Sequence, residues 1–216
     1  MTRTGDSGVS ITTRIDAATA GLRMRRLRQS DWSRRLVRET NLTADDLIWP
    51  IFVREGGGAP EPVPSMPEVF RLSVEGCVEA ARRARGLGVP VVALFPYTDA
   101  DKRDERGSEA FNEGNLVCRA SRAIKAAVPE VGILCDVALD PYTSHGHDGI
   151  MEGDRILNDE TVEALCRQAV VQAEAGCDII GPSDMIDGRV ACIRQALDGV
   201  VPRATLIMSY APTYDT

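Results

Sequence analysis

NDETVEALCRQAVVQAEAGCDIIGPS, Asn158–Ser183, is the stretch whose reading decides the fold. Its first part carries Val162, Leu165, Cys166, Ala169, Val170 and Ala173 at spacings of three and four, the single apolar stripe of a surface helix. Asn158 suits an N-cap, Asp159 and Glu160 suit the positive end of the first turn, and Gly176 suits a stop. The run that follows, Cys177–Ser183, is too short for a buried helix and closes on a polar residue. A helix leading directly into an apolar strand is one step of a repeating βα unit.

The same step recurs on both sides. Apolar runs lie at Leu47–Val53, Val89–Tyr97, Val131–Leu139 and Ala204–Tyr210, each rich in Val, Ile and Leu. They read as strands covered on both faces, the habit of a parallel sheet. Between them, helical patterns start near Ser73 and end at Gly86–Gly88, run from Leu116 to just before Pro129, and occupy Gly188–Leu197. No GxGxxG follows a strand, and Gly56–Pro60 lacks the Lys-Ser/Thr of a phosphate loop, so it reads as an extended loop. Five strands with intervening helices fit an open α/β sheet or part of a (β/α)₈ barrel, which takes about 250 residues when complete. From Leu47 onward this chain supplies about strands one to five, so the expected class is α/β, an incomplete (β/α)₈ TIM barrel. Residues 1–46 form an extended N-terminal arm and 47–216 the partial barrel.

The composition narrows the function classes. The chain has 216 residues and a formal net charge of −7. The arm holds nine Arg against six acidic residues, and the rest is strongly acidic. The basic stretch Arg23–Arg38 contains one aromatic, Trp32, and no nucleic-acid module follows it, so it reads as an arm that packs on acidic surface or on a neighbouring subunit. No apolar run is long enough to span a membrane, and the N-terminus lacks the apolar core of a secretory signal. Six scattered cysteines without a CxxC pair read as reduced thiols of a cytoplasmic protein.

Polar residues gather where the strands end, as sheet and barrel sites require. The densest group is Cys135–Ile150, CDVALDPYTSHGHDGI, with Asp136, Asp140, His145, His147 and Asp148. Carboxylates and imidazoles this close can hold a divalent cation, and an oxygen-rich set suits Mg²⁺ better than Zn²⁺. A second group, Gly181–Arg189, places Ser183 and Asp184 at a strand end. A third, Phe95–Asn115, is a long charged loop of the kind that is functional or mobile. The two lysines, Lys102 in that loop and Lys125 on a solvent-facing helix position, are poor candidates for an activated amine.

Taken together, DWSRRLVRET, LIWPIFV, SMPEVFRLS, ALFPYT, GSEAFN, CDVALDPYTSHGHDGI, PSDMIDGR and LIMSYA resemble, in order and spacing from about Arg23 to Tyr210, the delta-aminolevulinic acid dehydratase (porphobilinogen synthase) family. The resemblance implies a (β/α)₈ barrel whose arm wraps a neighbour in a homo-oligomer, commonly an octamer. It implies a hydro-lyase of heme and tetrapyrrole biosynthesis that condenses two 5-aminolevulinate molecules to porphobilinogen through two Schiff-base lysines. Asp136 and Ser183 match residues lining the first Schiff-base site, as catalytic and substrate-binding groups. The zinc cysteines of other members are matched by Ala138, Asp140 and Asp148, so no zinc is expected. Asp140 and Asp148 replace thiolate ligands, and the magnesium-type branch is implied, its Mg²⁺ ligand falling outside this sequence.

One departure stands out. The position of the first Schiff-base lysine holds Thr213, and a threonine hydroxyl cannot condense with a ketone to an imine. The second lysine and the lid belong to a C-terminal third that this sequence does not contain. The expectation is a chain inactive alone. The alternative is a non-catalytic interaction protein that co-assembles with a full-length subunit.

Overall fold

The computed structural model describes residues 23–200 and 205–210, and Thr213 lies outside them. The chain divides into two compact units between Leu42 and Thr43.

In the first unit a 3₁₀ turn, Arg26–Arg28, precedes the short helix α1, Asp31–Leu36. Ser30 and Ser33 close a reciprocal cap at its start, in which Ser33 Oγ accepts the Ser30 N–H at 3.3 Å. Met24, Trp32, Leu36 and Leu42 are exposed.

The second unit contains strands β1 (Ile48–Arg54), β2 (Glu61–Pro62), β3 (Phe70–Leu72), β4 (Val91–Tyr97), β5 (Gly132–Val137), β6 (Met151–Glu152), β7 (Arg155–Ile156), β8 (Ile179–Pro182) and β9 (Leu206–Ile207). Helices α2 (Val74–Gly86), α3 (Leu116–Ala127), α4 (Asn158–Glu174) and α5 (Arg189–Val200) lie between them. The main sheet runs β2-β3-β1-β4-β5-β8-β9. Its five principal strands, β1, β4, β5, β8 and β9, are parallel neighbours in chain order. That succession is the first five steps of a (β/α)₈ barrel, and among the described residues the barrel does not close.

Alternation along each strand divides the side chains between two faces. On the helix side Ile51, Val53, Val92, Leu94, Ile133, Cys135, Val137 and Ile180 pack with Ala81, Val117, Ile124, Leu165, Ala169, Ile193 and Leu197 in one core. On the other side Ala93, Leu134 and Ile179 form a small buried cluster with Val91 and Phe95 against it. Farther out, Ile48, Leu206 and Met208 are exposed. The expectation of strands covered on both faces therefore holds for the centre of the sheet and fails at its margins, where no neighbouring strand is present among the described residues to close the inner face.

Two local expectations are corrected. Asn158 does not cap α4; it is the helix's first residue, and its side chain instead takes the Asp187 N–H at 3.0 Å, tying α4 to the loop after β8. Lys125 is only partly open to solvent. Its ammonium donates to the Val131 carbonyl at 3.0 Å and pairs with Asp178, whose carboxylate also accepts the Ile133 N–H at 2.8 Å. Gly56–Pro60 is the loop expected, held by Arg54 through the carbonyls of Glu55, Gly57 and Ala59, and past it Glu61–Pro62 and Phe70–Leu72 pair antiparallel.

Candidate active site

The principal strands end on the same side of the sheet, where a cavity of about 480 Å³ opens. Phe52 and Phe95 come from β1 and β4, Asp136 from β5, Ser183 from just past β8 and Tyr210 from just past β9; Ala138, Asp140 and Asp148 come from the loop after β5. The structure thus brings Asp136, Ser183, Asp140 and Asp148 to one place.

Asp136 is the buried member. It is 9% exposed, and its Oδ1 has no hydrogen-bond partner. Loss of water pushes its carboxyl up to about 7; a hydrogen bond from Ser183 pulls it partly back, and the charges of Asp140 and Asp184 add to the rise. Near neutral pH the group is therefore divided between its acid and carboxylate forms, the condition for giving or taking a proton. Crowding by protein atoms, with the Asp148 charge, also holds Asp140 above the ordinary carboxylate range, while its own backbone N–H and Arg103 act in the other direction. Arg103 is fixed by two bonds to the Thr98 carbonyl, at 3.0 and 2.9 Å.

Ser183 is placed by a closed loop. The carboxylate of Asp184, almost fully buried, accepts the Ile186 N–H at 2.8 Å. Arg189 Nε lies 2.9 Å from the same oxygen, and Arg189 Nη1 donates to the Ile186 carbonyl at 3.1 Å. Gly181, one step before the loop, lets a ring come close: a Cβ there would stand 3.1 Å from Leu134 Cδ2 and 3.3 Å from Tyr210 Cε2. Tyr210 and the two phenylalanines were not singled out from the sequence. Their only signal is an aromatic at or near a strand's C-terminal end, which many strands carry for packing alone.

The imidazoles serve the turn rather than the cavity. His145 Nδ1 accepts the His147 N–H at 3.1 Å, and His147 Nδ1 lies 3.2 Å from the Gly149 nitrogen and 2.8 Å from Asp148 Oδ1. Gly149 is crowded by the β6–β7 hairpin, since a Cβ would stand 2.7 Å from Ile156 Cγ2. Asp140 and Asp148 supply two carboxylates, and among the described residues no three His, Cys, Asp or Glu side chains converge on one point. The chemistry below uses protein groups only.

The two long loops at the rim are stitched together. Asp104 N donates to the Tyr142 carbonyl at 3.3 Å, and Ser144 N to the Asp104 carbonyl at 2.8 Å. Asp104 also accepts the N–H groups of Arg106 and Ser108 at 2.9 and 3.0 Å. The charged loop after β4 is consequently tied to the loop after β5.

Comparison with known proteins agrees with this geometry. The family model described as delta-aminolevulinic acid dehydratase matches residues 21–216. A delta-aminolevulinic acid dehydratase of Bradyrhizobium diazoefficiens is 59% identical over 198 residues, covering 92% of this chain and 56% of that protein. One from Synechocystis sp. is 45% identical, covering 89% and 60%. The crystal structure of delta-aminolevulinic acid dehydratase (porphobilinogen synthase) from Toxoplasma gondii, in complex with the reaction product porphobilinogen, superposes with a TM-score of 0.83 at 42% identity over 87% of this chain and 54% of that one. The chain thus spans little more than half the length of these relatives. With its strand order, its strand-end carboxylates and a family model matched over nearly its whole length, the chain belongs to the delta-aminolevulinic acid dehydratase family.

Proposed function

We propose that the cavity receives 5-aminolevulinate, as a half-site of the reaction that condenses two such molecules to porphobilinogen in heme and tetrapyrrole biosynthesis. The observation that carries this reading is the placement of Asp136 and Ser183 at the ends of adjacent strands in one cavity. A carboxyl poised near 7 can exchange a proton with the substrate amine or ketone, and the Ser183 hydroxyl can hydrogen-bond the same molecule. Asp140 and Asp148 make the wall acidic, which suits the ammonium end of the substrate. Family resemblance puts a Schiff-base lysine where this sequence has Thr213, so binding without covalent capture is the expected behaviour of the chain alone.

The test is direct. Titration of the protein with 5-aminolevulinate, followed by calorimetry, gives saturable binding that Asp136→Asn and Ser183→Ala weaken. Borohydride traps no adduct in the parent chain, and porphobilinogen does not accumulate. A chain that shows no saturable binding refutes the substrate assignment, and a trapped adduct refutes the role given to Thr213.

A second reading, co-assembly with copies of itself or with a full-length subunit in the cytoplasm, draws on the exposed Trp32, Leu36 and Leu42 of the N-terminal unit. Mass measurement in solution, with and without a full-length relative, tests it: a monomer under both conditions removes the reading.

A further inference from the structure

Two glutamines sit where apolar side chains belong. Gln168 and Gln172, one turn apart on α4, are both fully buried at the interface between the helix and the sheet. Both send their amide N–H toward one atom, the backbone carbonyl oxygen of Asp136: Gln172 Nε2 at 3.0 Å and Gln168 Nε2 at 3.4 Å. Both leave the amide oxygen buried without a partner. Turning either amide over would set its oxygen against the carbonyl, so the donors must face Asp136. A buried acceptor without a bond is destabilising, and leucine or methionine would fill the same space without that penalty. What the glutamines add is a grip on the main chain of the one residue whose carboxyl is buried in the cavity on the far face of the sheet.

We propose that Gln172, seconded by Gln168, is a positioning residue that fixes the end of β5 and so aims the Asp136 carboxyl into the cavity. The inference rests on the reading of Asp136 as the carboxyl that meets substrate. Without the grip, the strand end loosens where the carbonyl has lost its donors. The carboxyl then gains water and exchanges its neighbours, Ser183, Asp140 and Asp184, for solvent.

The experiment is a ¹³C NMR titration of the Asp136 carboxyl in the full chain, its resonance assigned by its absence in Asp136→Asn. In Gln172→Met the midpoint falls toward the ordinary aspartate value by about one unit or more, and in Gln168→Met, which loses only the longer bond, it falls less. Leu197→Ala, a core truncation on α5, destabilises the chain without moving the midpoint. An unchanged midpoint in folded Gln172→Met overturns the proposal. If that variant does not fold, Gln168→Met decides in the same way. The titration needs no ligand, so it separates this inference from the substrate assignment. Where 5-aminolevulinate binds, the affinity lost in Gln172→Met disappears in an Asp136→Asn background; equal losses in both backgrounds overturn the proposal.

Discussion

Replacing Asp136 by asparagine should stabilise the protein, and increasingly so as pH rises. Burial moves the carboxyl from 3.8 to about 7. That is roughly three units, or on the order of 4 kcal/mol between the two protonation states. The direction follows from proton binding. The folded state holds the Asp136 proton more tightly than the unfolded chain does. The wild type therefore has no penalty at pH well below 3.8, loses stability as pH rises from there to about 7, and loses no more above it. Asparagine keeps the shape and carries no charge to desolvate, so it escapes the loss. Urea unfolding at pH 4, 6 and 8 should show Asp136→Asn ahead by less than about 1 kcal/mol at pH 4 and by up to about 4 kcal/mol at pH 8. Comparing the two proteins at each pH removes, to first order, the titration of other groups. Asp140 and Asp184 remain, and both are relieved when the Asp136 charge disappears, which acts in the same sense. A difference that stays flat with pH, or an asparagine variant less stable at pH 8, would refute the burial argument. The same variant should bind 5-aminolevulinate more weakly, trading function for stability.

Other perturbations give separate checks. Asn115 is fully buried, capping α3 through the Cys118 N–H at 2.8 Å while its amide donates to the carbonyls of Ala110 and Glu109 at 3.1 and 3.3 Å. Asn115→Ala should cost about 2–3 kcal/mol in urea unfolding, and Asn115→Asp should not rescue it because a carboxylate cannot serve the two carbonyls. Gly149→Ala should cost about 1–3 kcal/mol by driving a methyl into Ile156, and Ile156→Ala should recover most of that loss in the double variant. Thr213→Lys should make the chain trappable by borohydride in the presence of 5-aminolevulinate, read by mass spectrometry as a covalent adduct absent from the parent.

The repeating βα order was legible because short continuous apolar runs and three-and-four stripes report burial directly, and burial is what the sheet and its helices impose on sequence. The strand-end cluster was legible in part: Asp136 and Ser183 stand near the ends of apolar runs and Asp140 directly follows one, whereas Asp148 lies well past Leu139 in a polar stretch. What escaped were features set by distant pairing. Asn158 has the chemistry of a cap, yet its side chain is claimed by Asp187 across a loop. Lys125 carries a charge on a helix, and only the fold brings Asp178 and the Val131 carbonyl to it. The strands Glu61–Pro62 and Phe70–Leu72 leave no pattern because each is only two or three residues long. Gln168 and Gln172 read as polar interruptions beside the apolar stripe, and nothing local says that both address a carbonyl more than thirty positions earlier.

The stitching of the two rim loops bears on how anything enters the cavity. A segment rich in Asp, Glu, Lys and Arg invites the picture of an independent flap. Yet Asp104 is shared between that segment and the turn after β5. Amide hydrogens of Asp104 and Ser144 should therefore exchange at one common rate, as members of one cooperative unit. Access then resembles a hinged cover more than a swinging strand: ligand entry and exit would wait on the same slow opening, and whatever tightened one loop would lengthen residence behind both.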